Sequence, residues 1–156
     1  MKRKKIRPLL ADKYPPSLSC SCNICQSYCS RPGWWTVQEA TRAIEAGYWK
    51  RMMLELSPDF TYGVLSPAFK GCEQDFAIQE YSKLGCNFYS KGMCELYDTG
   101  LIPLECRFCH HLRKGLGEKC HHDIGEEWNT PLGHILVNEW ILKTGVLLKY
   151  KNWKVT

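Results

Sequence analysis

At 156 residues with 44% hydrophobic content, the chain has the size of one globular domain and enough apolar material to bury a core. No apolar run approaches the roughly 18 residues needed to span a bilayer. The basic start lacks the apolar stretch of a secretory signal, so a cytoplasmic protein with no membrane partner is the expectation.

The net charge of +5 comes from Lys2, Arg3, Lys4, Lys5 and Arg7; without them sixteen basic residues face sixteen acidic ones. Such a tail reads as a solvated end, and the neutral body offers no basic face for phosphates. Nucleic acid is therefore not an expected partner, and a protein partner stays open.

In chain order, residues 1–19 read as a basic, irregular arm, because Tyr14-Pro15-Pro16-Ser17 resists regular structure. Residues 20–156 read as a single cysteine-rich domain. Thr36-Val-Gln-Glu39 is a capping box that opens a helix with Ala40, Ala43, Ile44 and Ala46 on its apolar face. Gly47 ends it. Leu54 and Leu56, then Phe60, Tyr62 and Val64, alternate with polar residues around a Ser57-Pro58-Asp59 turn and predict short strands.

Cys86 to Tyr89 and Met93 to Tyr97 flank Ser90-Lys-Gly92 and predict a hairpin. Pro103 opens a short predicted helix carrying Cys106 and Cys109. Gly115 to Asp123 is polar and glycine-rich, which predicts a loop. Thr130-Pro131 starts a last helix whose expected stripe is Leu132, Ile135, Leu136, Trp140 and Ile141, ending at Gly145. Residues 146–156 add a strand or trail off. The fold class is α+β, a small irregular metal-centred domain with a few helices and short strands.

Ten cysteines carry the chemistry. Thiolates are soft ligands that suit zinc and iron–sulfur clusters. Cys22/Cys25 and Cys106/Cys109 each have the two-residue gap that lets two thiols face one ion from a tight turn, and Cys20, Cys29, Cys86 and Cys94 lie near them. Cysteines in a chain with no export signal favour metal ligands over disulfides.

The later segment reads Cys86-Asn-Phe-Tyr-Ser-Lys-Gly-Met-Cys94-Glu-Leu-Tyr97, followed by Cys106-Arg107, after an N-terminal group of close cysteines. In order and chemistry this resembles the YkgJ-type cysteine-cluster family, described as zinc- or iron-chelating domains with a CxxCxxCC pattern. The resemblance covers Cys20 to Arg107. The family's adjacent cysteine pair is absent, Cys29 standing alone, and Cys20 is an extra thiol upstream.

By position, the resemblance implies Cys22, Cys25, Cys29, Cys86, Cys94 and Cys106 as metal ligands. Spacing adds Cys109. Cys20, Cys72 and Cys120 also read as buried thiols. His110, His111, His121 and His122 stay open as ligands of a second zinc site, for which Cys106-x2-Cys109-x10-Cys120-His121 has module-like spacing. Ligand softness and the resemblance favour an iron–sulfur cluster over zinc for the Cys22 to Cys106 set.

Arg107 is a cofactor-contact candidate through hydrogen bonds to cluster sulfur, with an ion pair as the plainer reading. Trp34 and Trp35 either floor a pocket or, with Tyr97, shield the metal from water. His134 reads as a structural histidine. No phosphate loop, nucleophile elbow or paired-carboxylate motif stands out, so catalytic residues stay unassigned. The functional expectation is metal or cluster binding in an accessory or redox role. The alternatives are a metalloenzyme with an open coordination position and a zinc-stabilised interaction module.

Overall fold

The computed structural model describes residues 9–20 and 22–146. The basic residues 2–7 and the predicted terminal strand from residue 147 lie outside the described residues. The fold is α+β, and no helix among the described residues is long and apolar enough to cross a membrane.

The arm carries one helical turn, α1 (Leu10–Lys13), and is docked where an irregular segment was expected. Tyr14 is 5% exposed and packs edge-on against Phe108 at 5.1 Å between ring centroids. Its hydroxyl and the Lys13 ammonium donate to Asp123 at 2.5 and 2.6 Å. The Arg113 guanidinium donates to the Pro15 carbonyl at 2.6 Å, and the Ser17 amide to the Arg107 carbonyl at 2.8 Å. Pro15 and Pro16 forbid a longer helix, and these tertiary bonds replace the missing local ones.

α2 (Asn23–Cys29) follows, capped by Cys22. α3 (Val37–Glu45) starts at the expected capping box, with Thr36 and Glu39 bonded reciprocally and Ala40 and Ala43 fully buried. β1 (Met52–Leu56) pairs antiparallel with β2 (Gly63–Pro67), Leu54 opposite Leu65. The turn between them is held by Ser57 Oγ, which accepts the Thr61 and Tyr62 amides at 3.1 and 3.2 Å. β3 (Asp75–Phe76) adds to the other edge of β1 in parallel, giving the order β2-β1-β3.

β4 (Tyr89–Ser90) and β5 (Met93–Cys94) form the second, two-stranded sheet. Lys91 and Gly92 both take positive φ, 53° and 77°, as a tight right-twisted hairpin requires. α4 (Leu104–Phe108) carries Cys106, but Cys109 lies just past its end in an extended conformation, outside the helix predicted to hold both.

Two expectations fail in the C-terminal third. Gly115 to Asp123 is not a loop, since α5 spans Gly117–Trp128. Cys120, Ile124 and Trp128 recur every four residues and are all fully buried, so tertiary packing overrides weak local propensity. α6 (Pro131–Thr144) starts where expected, but it buries Gly133, Leu136, Val137, Trp140 and Ile141. Leu132 and Ile135 face outward, 72% and 53% exposed. Gly133 sets this rotation by lying against the end of α5, where a Cβ would come 2.2 Å from the Trp128 carbonyl oxygen.

Trp35, Trp128, Trp140 and Phe88 are the large members of the core. Each indole N–H finds a carbonyl: Trp35 that of Leu101 at 2.7 Å, Trp128 that of Trp35 at 2.8 Å, Trp140 that of Trp49 at 2.9 Å. Burying one such ring contributes about 4–6 kcal/mol before entropy is counted.

Gly133→Ala is expected to destabilise the fold by about 1–3 kcal/mol through overpacking, although the same change in an open helix stabilises by about 1 kcal/mol. Urea unfolding checks this: the midpoint should fall at constant slope, and a raised midpoint would contradict the close contact.

The arm gives a second prediction. Hydrogen bonds from Lys13 and then Tyr14 hold the Asp123 carboxyl below its ordinary value. A depressed native value means the contribution is complete above the unfolded carboxyl value of about 3.9 and is lost as pH falls through the lower native one. Protection of the Tyr14 amide from hydrogen exchange should therefore persist across neutral and mildly acid pH and vanish only in strong acid. Asp123→Asn should lower it at every pH.

Candidate metal centre

The docked arm delivers Cys20 to the start of α2. There Cys22 is the N-cap, and its thiol accepts the Cys25 amide at 3.5 Å. This local turn is what the two-residue gap between Cys22 and Cys25 encodes. It places both thiols at the first turn of the helix.

The facing group comes from the far end of α4. His110 is extended, and its Nδ1 accepts the Leu112 amide at 3.1 Å, which starts a 3-10 turn over His111–Arg113. That turn aims the His111 ring back at α2. His111 Nδ1 lies 3.5 Å from Cys20 Sγ, 3.5 Å from Cys22 Sγ and 3.3 Å from Cys25 Sγ. The His111 amide also donates to Cys25 Sγ at 3.4 Å. Ligand atoms of Cys20, Cys25, His110 and His111 all lie within 4.8 Å of one another, close enough to hold a metal ion. Cys22 joins this group through His111. All ten cysteines are free thiols.

The Cys25 amide, above all, lowers the Cys22 thiol. Burial pushes Cys25 up to about 11, with its neighbours Cys20 and Cys22 adding to the shift. Burial, then the charges of His111 and Arg113, lowers His110, so its imidazole is neutral at physiological pH.

The other predicted ligands line an adjoining cavity of about 410 Å³, whose wall Cys20 and Cys25 share. Cys29, Cys86, Cys94, Cys106 and Cys109 border it. Burial raises the Cys29, Cys86, Cys106 and Cys109 thiols, Cys86 and Cys109 to about 11 and Cys106 well above the usual range. Tyr97 also lines this cavity and is 57% exposed.

Arg107 is held in an ion pair with Glu39 and donates to the Ile102 carbonyl at 2.6 Å, while its side chain borders the same cavity. Trp35 is fully buried in the core. Trp34 donates to Glu55 at 3.1 Å and stacks on His121 at 3.6 Å between centroids, facing a second cavity of about 520 Å³.

Among the described residues, Cys106, Cys109, Cys120 and His121 do not form such a close group. α5 buries Cys120 completely and turns His121 to Glu105 at 2.5 Å. His122 faces Glu126 at 3.5 Å on the surface, and His134 is exposed, 3.2 Å from Asn129. Cys72 is buried with Met53, Ala68 and Phe69 in a small satellite core.

Three members of the close group, Cys20, His110 and His111, lie outside the ligands that resemblance and spacing favour. The signal for them was present. Cys20-x-Cys22-x2-Cys25 is a denser group than the pair alone, and His110-His111 directly follows Cys109. What was missing was any local reason to join the two. The chain matches no protein-family model, no curated protein and no solved structure.

Proposed function

We propose that the protein is a zinc-binding protein in which Cys20, Cys22, Cys25 and His111 hold one ion. The observation that carries this reading is the position of His111 Nδ1, 3.3–3.5 Å from three sulfurs. With Zn–S of about 2.3 Å, Zn–N of about 2.0–2.1 Å and tetrahedral angles, a bound nitrogen and sulfur stand about 3.5 Å apart. The donor set, three thiolates and one imidazole, belongs to closed structural sites with four protein ligands. The resemblance to cysteine-cluster chelating domains points to the same general role.

In this reading the ion staples the arm and α2 to the turn after α4, segments about ninety positions apart in sequence. Because the unfolded chain has no such site, binding free energy becomes folding free energy. His110, which lies in the same group, competes with Cys22 as the fourth ligand.

Metal analysis of the purified chain should find zinc tightly bound at this site. Cys25→Ser and His111→Ala should each remove it, whereas His110→Ala should not. A free-zinc excess of about a hundredfold over Kd stabilises by about 2.7 kcal/mol, roughly 5–10 °C in Tm for a chain of this size. Chelation should reverse that gain. Zinc content unchanged in His111→Ala would sink the reading.

The thiol of Cys25, held near 11 by burial, must lose its proton to bind. Apparent zinc affinity should therefore keep rising with pH up to about 11, with proton release visible by calorimetry in buffers of different ionisation enthalpy.

A further inference from the structure

The geometry that gathers three thiols around His111 also sets two of them up to react with each other. Cys22 and Cys25 share one helical turn, closed by the Gln26 amide donating to the Cys22 carbonyl at 2.9 Å. Helix geometry puts residues three apart at about 5 Å between Cα atoms, inside the roughly 4.4–6.8 Å that a disulfide spans. The Cys22 sulfur lies over this turn, since it accepts the Cys25 amide at 3.5 Å. Both sulfurs sit against one atom, His111 Nδ1, at 3.5 and 3.3 Å. The two thiols are also hydrogen-bond partners of each other. Cys20 reaches the same pair from the arm, but among the described residues no backbone hydrogen bond ties it to that turn.

Access separates this pair from the other thiols. Cys22 is exposed, with the buried Cys25 as its neighbour. Cys72 and Cys120 are fully buried in apolar cores. Cys106 packs so closely on Gly33 that a Cβ there would stand 2.4 Å from its Sγ. Cys29 is exposed as well, but its sulfur is not in the close group of ligand atoms. A small oxidant in solvent therefore meets Cys22 with a second thiol in reach. Thiols bound to zinc are deprotonated outright, and the thiolate is the form that oxidants attack. An accessible thiolate beside a resolving cysteine is the arrangement of a redox sensor.

We propose, resting on the zinc reading above, that the centre is a peroxide-responsive switch in which Cys22 and Cys25 close into a disulfide and release the ion. The Cys22 thiolate attacks one oxygen of hydrogen peroxide, the O–O bond breaks, and hydroxide leaves a sulfenic acid behind. The Cys25 thiolate then attacks that sulfur, the S–O bond breaks, the S–S bond forms, and a second hydroxide leaves. Two thiolates give up two electrons, and one peroxide takes them to become two hydroxide ions. The disulfide carries no charge. Cys20 and the imidazoles of His110 and His111 remain, three ligands where a closed site has four. The turn at His111–Arg113 is then no longer stapled to α2. A dithiol reductant restores both thiolates by exchange, and zinc can rebind.

The test uses the full chain loaded with zinc and treated with hydrogen peroxide beside a chromogenic chelator, then digested for disulfide mapping. Bound zinc should fall at least tenfold relative to chelator without peroxide, with Cys22 linked to Cys25. It should return when dithiothreitol and zinc are added. Cys29→Ser should respond as the unmodified chain does, because that exposed thiol lies outside the centre. Cys20→Ser keeps the reacting pair and should still form the Cys22–Cys25 disulfide, even where it holds zinc weakly. Zinc that stays bound under peroxide overturns the switch and leaves the zinc reading standing. Release without a Cys22–Cys25 link, through pairing with Cys20 or through sulfinic acids, also overturns it. A chain that holds no zinc before peroxide is added overturns the zinc reading itself, and the switch with it.

Discussion

The Glu39 carboxylate is the interaction on which the rest of this structure depends. It is buried, and it serves three separate parts of the chain. It accepts the Thr36 and Leu104 amides, each at 3.1 Å, and pairs with the Arg107 guanidinium. The first bond closes the cap of α3, the second fixes the start of α4, and the third holds the middle of α4. Breaking a buried pair of this kind by removing one partner costs about 3–5 kcal/mol, because the other charge stays buried without compensation. Arg107 is thus committed to the framework, and its place between Cys106 and Phe108 ties that framework to the thiols.

From this hub the metal-facing residues follow. α4 places Cys106 against Gly33, and its extended exit at Cys109 leads directly into His110 and His111. The arm, fixed through Tyr14 and Asp123, brings Cys20 in from the other side. The candidate centre therefore sits where irregular segments meet, outside the regular sheets. Irregular backbone suits the task, since ligands must converge on a point from several directions. The docked arm and the buried tryptophans, each indole bonded to a carbonyl, frame those segments.

Local chemistry was legible in the residues. The capping box at Thr36, the hairpin at Lys91-Gly92 and the helix start at Thr130-Pro131 all depend on contacts within five positions, and all formed. α5 was not legible, because Gly117 to Asp123 has poor helix propensity and its buried stripe begins with a cysteine counted as a possible ligand. The burial face of α6 was misread because Gly133, small and apolar in neither pattern, sets the rotation by its approach to Trp128. In both cases the deciding neighbour belongs to another element.

The candidate site divides in the same way. The sequence by itself determined an α+β domain with thiols in close local groups, because two cysteines three positions apart share a turn wherever the backbone turns, as at Cys22 and Cys25. Only the tertiary structure decided which thiols face one another. His111 meets Cys20, Cys22 and Cys25 across roughly ninety positions. Cys29, one helical turn from Cys25, shares a cavity with Cys86, Cys94 and Cys106, from positions 57 or more residues further along the chain. The physical reason is that ligation depends on convergence in space. Spacing along the chain controls that only within a turn, and packing of the arm, α2 and α4 controls the rest.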